Sequence, residues 1–183
     1  RWSRADTAPK QACPYLPGGV RWQPPAYDRD TGIAYVGGED GCQEHMIMPA
    51  LWTEAEEIDE QGRRAPDSRN DVEKGGLIAA LDVSTGEVIN SVTTQYPNRS
   101  GLLLTAGGLL ATATYDGAVR IFDSDTLEEL YTFQTGVGLK APFITYEVNG
   151  KQYMAIVAGE RQGDYPELGV RGTGVAMVYV FSL

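Results

Sequence analysis

The residues that could do chemistry are sparse, and their types exclude more than they permit. Cys13 and Cys42 are the only cysteines and His45 is the only histidine. That is too few thiolates and imidazoles for a four-ligand zinc centre, and the cysteines form no C-x-x-C pair. An even cysteine count in a Gly/Pro-rich acidic chain fits one disulfide made in an oxidising compartment, periplasmic or extracellular; two free buried thiols are the alternative. If joined, the pair closes a loop of about 30 residues and stabilises the fold by roughly 3 to 4 kcal/mol in the chain-entropy account. His45, in GCQEHMIMP, has no Ser or Cys nucleophile motif around it and reads as a loop histidine. Glu54, Glu56, Glu57 and Asp59 have a calcium-site composition but neither alternating ligand spacing nor a turn glycine, so they read as a solvated face.

Charge and length remove further classes. Fifteen basic against 25 acidic residues give a formal net charge of -10 over 183 residues, which leaves no electrostatic footprint for nucleic acid or anionic lipid. The longest apolar runs, Gly101 to Thr114 and Val175 to Leu183, fall short of the ~20 residues that span a bilayer, and no secretion signal precedes them. The sequence reads as a soluble chain with no transmembrane segment. Its opening residues, RWSRADTAPKQ, suggest a beginning inside a longer polypeptide.

The elements that must position any site come from a repeat. GLIAALDVSTGEVINSV, from Gly76, recurs 41 residues later as GAVRIFDSDTLEELYTF, from Gly117. Gly76/Gly117, Ile78/Val119, Asp82/Asp123 and Thr85/Thr126 coincide, and each copy reads as a strand, an Asp/Ser/Thr turn and a second strand. A fainter copy, AYDRDTGIAYVG, repeats the spacing of Asp82, Thr85 and Gly86 at Asp28, Thr31 and Gly32. The stretched interval after it is filled by Trp52 to Gly75, dense in charge and without strand alternation. That stretch, residues 52–75, reads as a charged surface insertion between blades.

A period of about 40 to 45 residues with several strands per unit is the sign of a β-propeller. Asp116–Gly117 is a hairpin signal of the strongest kind, and the final GVAMVYVFSL reads as a buried closing strand. The chain is therefore expected to be all-β, residues 1–183 forming part of a single propeller domain with about four blades. Four blades leave sheet edges open, so other polypeptide is expected to complete the ring.

The repeat A-x-D-x-x-T-G, with TAGGLLATATYDGAVRIFDSDT and FQTGVGLKAPFITYEVNGKQYMAIVAGE after it, resembles the carboxy-terminal part of the PQQ-dependent alcohol dehydrogenases. CPYLPGGVRWQPPAYDRDTGIAYVGGEDGC resembles an earlier segment of the same family, and Cys13 and Cys42 stand where that family has a disulfide. The resemblance implies blades of an eight-bladed quinoprotein propeller that binds PQQ over a calcium or lanthanide ion. It also implies a periplasmic location, oxidation of alcohols by hydride transfer to the quinone, and a cytochrome c as electron acceptor. The N-terminal portion or larger subunit of the dehydrogenase would supply the metal ligands and the catalytic aspartate, for which no residue here stands. A non-catalytic propeller scaffold is the competing reading; the cysteine pair and the GG-x-x-W-x-P-x-A-Y segment favour the enzyme.

Carried over residue by residue, the resemblance sets Arg21 where many members contact the quinone with Asn. A guanidinium there could hold a PQQ carboxylate or polarise the quinone oxygen. Trp22 beside it is either a cofactor contact or core packing. Arg99, followed by Ser100 and Gly101, stands where a Trp often stacks beneath the cofactor, and Tyr165 or Leu168, in GERQGDYPELGVRG, would be the apolar anchor of the substrate funnel. The family's docking motif ends in Trp, whereas this chain has Val36, Asn90 and Tyr131 there, and Leu127 replaces the motif's Gly in one copy.

Overall fold

The computed structural model describes residues 10–14, 19–45, 75–159 and 176–182, and every regular element among them is a β-strand. Two short strands, β1 (Lys10–Ala12) and β5 (Gln43–His45), form an antiparallel ribbon, so the backbone of His45 lies in a strand and not in a loop. The other twelve make three sheets. In the first, β2 (Gly19–Val20) and β3 (Ala26–Asp28) both flank β4 (Ile33–Asp40), followed by β6 (Gly75–Asp82) and β7 (Val88–Thr94). The second runs in sequence order through β8 (Asn98–Leu104), β9 (Leu109–Thr114), β10 (Ala118–Asp123) and β11 (Glu129–Gln134). The third consists of β12 (Ile144–Val148), β13 (Lys151–Ala158) and β14 (Met177–Ser182).

Among the described residues there are three blade-sized sheets. The faint copy of the repeat is the first hairpin, β3 to β4, of the same sheet whose second hairpin is β6 to β7. Because β4 and β6 are antiparallel neighbours, the charged stretch interrupts one blade rather than separating two. Residues 52–74, with Trp52 and the Glu54 to Asp59 cluster, lie outside the described residues.

The two clear copies are structurally equivalent down to an irregularity. Both outer hairpins slip register at the same repeat position, between Ala80 and Leu81 and between Ile121 and Phe122. The turns are held by aspartate. The Asp82 carboxylate accepts from the Ser84 and Thr85 amides at 2.7 and 3.2 Å, and Asp123 accepts from the Asp125 and Thr126 amides at 3.0 and 2.8 Å. Leu127, in place of the motif's glycine, keeps the left-handed backbone at φ 56°. It does so because its side chain is buried among Tyr35, Ile78, Leu102, Leu110 and Phe122.

Period-two alternation explains why the middle sheet reads as nearly continuous apolar sequence: both its faces are covered. Leu110 and Phe122 face the first sheet, whereas Ala111, Ala113, Val119 and Ile121 face the third and meet Met154 and Ile156. Where a tryptophan would dock one blade on the next, Asn90 donates through Nδ2 to the Thr126 carbonyl at 2.9 Å, replacing a stacked ring with one hydrogen bond. The closing strand is less buried than its alternation suggests. At the edge of its sheet among the described residues, β14 packs Tyr179 and Phe181 edge-on against Phe133 but leaves Val178 67% exposed. No helix among the described residues is long and apolar enough to cross a membrane.

Candidate functional site

Two arginines from different sheets converge on one buried carboxylate. In the first sheet, Gly19 lies opposite Glu39 and Val20 opposite Gly38. The strands approach so closely that a side-chain carbon on Gly38 would sit 2.9 Å from the Gly19 carbonyl oxygen, a contact only glycine allows. This brings Arg21, just past β2, over Glu39, and its Nη1 donates to Glu39 Oε1 at 3.1 Å. A disulfide between Cys13 and Cys42 ties the segment before β2 to the residues just after β4.

The second arginine is aimed by a bulge in β8. Asn98 pairs with Thr114 and Leu102 with Thr112, so Arg99, Ser100 and Gly101 have no partners across the ladder. Gly101 takes φ 80° with Pro24 packed where a side chain would be, 2.7 Å away. Ser100 repairs the gap in hydrogen bonding: its Oγ accepts from the Ala113 amide at 2.7 Å and donates to the Ala113 carbonyl at 3.0 Å. Thr112 Oγ1 accepts from Asn98 Nδ2 and donates to the Gly101 carbonyl, both at 2.7 Å. A bulge of this kind re-aims a side chain. Here it turns Arg99 onto Glu39, with Nε on Oε1 at 2.6 Å and Nη2 on Oε2 at 3.1 Å.

Burial grades the three groups. The Glu39 side chain is 1% exposed, Arg99 9% and Arg21 32%. A carboxylate this deep is tolerated because guanidinium donors occupy both its oxygens. The Arg99 guanidinium lies 5.1 Å from the centre of the Tyr115 ring, and the Lys140 ammonium lies 5.2 Å from the same ring. Three cations therefore gather around one carboxylate and one aromatic ring.

Residues 73–154 match the family described as Glucose/ethanol/alcohol dehydrogenase, beta-propeller domain. A quinoprotein ethanol dehydrogenase from Pseudomonas putida is 34% identical over 151 residues, covering 82% of this chain and 24% of the relative. Over most of its length the chain is similar to PQQ-dependent alcohol dehydrogenases. A 1-butanol dehydrogenase (quinone) from Thauera butanivorans is 31% identical, covering 93% of this chain and 28% of that protein. Among solved structures, the quinohemoprotein alcohol dehydrogenase from Comamonas testosteroni aligns over 97% of this chain with a TM-score of 0.73 at 23% identity, a likeness of fold. The chain spans about a quarter of the length of the curated relatives it matches.

Within this quinoprotein frame, the residues singled out in the sequence part company. Arg21 and Arg99 meet on Glu39, which sequence reasoning missed. Trp22 is 69% exposed and belongs to neither hydrophobic cluster of the described residues. Ser100 is fully buried with its hydroxyl committed to Ala113, so this geometry gives it to the sheet and not to a ligand. The Arg99 guanidinium is clamped by Glu39 and lies over the Tyr115 ring. Tyr165 and Leu168 lie outside the described residues, as does the side chain of His45.

The donor set can be tested against a tricarboxylate quinone such as PQQ. Arg21 donates to Glu39 through Nη1 alone and is the accessible member of the trio, so its outer donors suit a carboxylate or a quinone oxygen. Trp22, next in sequence, exposes its indole, a flat apolar surface. These groups fit a planar anion. Among the described residues no three of His, Cys, Asp or Glu gather as metal ligands.

Proposed function

We propose that this chain forms part of a PQQ-dependent dehydrogenase that oxidises alcohols to aldehydes or ketones. The observation that carries the reading is the accessible Arg21 guanidinium, held on buried Glu39 beside Arg99 in a chain whose relatives are quinoprotein dehydrogenases. Arg21 and Trp22 would hold the cofactor from this chain, and Arg99 would support them from behind. When bound, PQQ supplies an ortho-quinone able to accept hydride from the alcohol carbon. Arg21, a permanent cation, would orient a cofactor carboxylate or stabilise charge on a quinone oxygen without itself exchanging a proton. The apolar wall from Tyr165 or Leu168 would exclude water from the substrate funnel.

The rest of the polypeptide would contribute the aspartate that takes the hydroxyl proton, together with the ligands of a calcium or lanthanide ion. A cytochrome c in the periplasm would receive the electrons. The test is Arg21→Ala in the full-length protein. With one charged hydrogen-bond partner removed from a partly exposed site, the loss should be about 1.5 to 3 kcal/mol, shared between PQQ affinity and turnover. Equilibrium titration of the PQQ-free protein and dye-coupled alcohol oxidation measure the two parts. Unchanged affinity together with unchanged rate overturns the role given to Arg21.

A further inference from the structure

The structure assigns to Glu39 the role of positioning residue for Arg21, a role resting on the PQQ reading above. Glu39 sits opposite Gly19 in the β2–β4 pairing, two residues before Arg21, and its carboxylate is almost fully buried. One of its oxygens, Oε1, accepts from both Arg99 Nε and Arg21 Nη1. Arg99 is the immobile partner: it is bonded to both carboxylate oxygens, lies over Tyr115 and leaves from a bulge locked by Ser100 and Gly101. Arg21 is the accessible one. Its guanidinium is therefore fixed at the surface by a carboxylate that is itself fixed from behind.

Two physical effects make this arrangement matter for a bound anion. A long arginine side chain otherwise loses much rotamer freedom when it engages a ligand, and the bond to Glu39 has already restricted it. The shared oxygen also screens two like charges from one another. Without it, the two guanidiniums repel, and the solvent-accessible Arg21 is the one that swings away. Glu39 thus acts on an anionic cofactor through Arg21.

The experiment is a double-mutant cycle of Glu39→Gln and Arg21→Gln in the full-length protein, with PQQ affinity read by titrating the PQQ-free protein and following cofactor absorbance. Glu39→Gln alone should weaken PQQ binding by about 10-fold, but by less than about 2-fold when Arg21 is already Gln, because there is then nothing left to position. A residue with a merely structural role would weaken binding equally in both backgrounds. Should the single Glu39→Gln variant fail to fold, Glu39→Gln/Arg99→Gln removes both buried charges together and enters the same comparison, with the same expected dependence on Arg21. Additive effects, with PQQ bound by the unaltered protein, overturn the positioning role alone. Failure of the unaltered protein to take up PQQ overturns the functional reading and this inference with it.

Discussion

Replacing Ser100 with alanine should loosen one strand pair without disturbing its neighbours. The Ser100 hydroxyl stands in for a missing backbone partner: it accepts from the Ala113 amide at 2.7 Å and donates to the Ala113 carbonyl at 3.0 Å, and both residues are fully buried. In Ser100→Ala the bulge remains, because Gly101 and Pro24 impose it, so no other group of β8 comes into register with Ala113. The variant leaves a buried donor and a buried acceptor unmet. Each such orphan costs about 1 to 3 kcal/mol, and modest relaxation brings the total to roughly 2 kcal/mol. If the opening is local, that amounts to exchange of the Ala113 amide about 30-fold faster. Hydrogen exchange read by mass spectrometry on overlapping peptides spanning Leu109 to Asp116, in the full-length protein, would resolve it. The β10 amides facing β11 should be unaffected. Unchanged protection at Ala113 would refute the claim that the hydroxyl completes the ladder.

Peptide mapping without reductant should recover Cys13 and Cys42 linked, and replacing both with serine should lower stability by about 3 kcal/mol; alkylation of both thiols before reduction would remove that bond from the account. Asp82 is held below the ordinary aspartate value of 3.8, first by the Ser84 hydroxyl and then by backbone amides, and Asp123 is held below it by the Thr126 amide and hydroxyl. A carboxyl depressed in the folded state contributes stability that is present above its unfolded value and lost as pH falls through the folded one. Asp82→Asn/Asp123→Asn should therefore flatten the fall of the urea midpoint below about pH 4; an unaltered slope would contradict it. Leu127→Gly relieves about 1 kcal/mol of left-handed strain but forfeits about 2 to 3 kcal/mol of burial, so denaturation should show a net loss. A stabilised variant would mean that strain dominates.

Much of this architecture was legible because the repeat is written in turns as well as strands. Asp82, Asp123, Gly86 and the Asp116–Gly117 pair each impose a local geometry that tertiary contacts did not override. The Asp-x-x-Thr hairpins at Asp28 and at Asp82 belong to one sheet, and spacing alone cannot tell two hairpins of one sheet from one hairpin in each of two. Glu39 was missed for a different reason. In GGEDG it reads as a surface turn residue, although its parity with buried Tyr35 and Gly37 along β4 was an available sign that it points inward. Arg99 and Ser100 were noticed, yet their roles depend on a bulge at which Gly101 meets Pro24, from the segment between β2 and β3, a contact with no local signature.

The interruption of the first blade has a kinetic consequence. Its β4 and β6 pair across a gap that begins with Asp40 opposite Gly75, while β9 and β10 of the second blade are joined by a tight turn at Asp116–Gly117. Closing a loop of about 35 residues instead of about 4 adds roughly 2 kcal/mol of chain entropy before the first cross-strand contact returns anything. The two halves of the first blade thus form as separate hairpins, and the second blade, zipped from neighbouring segments, is the earlier template. Leu102 and Phe122, already ordered there, offer the surface on which Tyr35 and Ile78 later meet. The carboxylate of Glu39 then reaches Arg99 only at the last stage of that docking, so the cation site matures after the sheet that aims it.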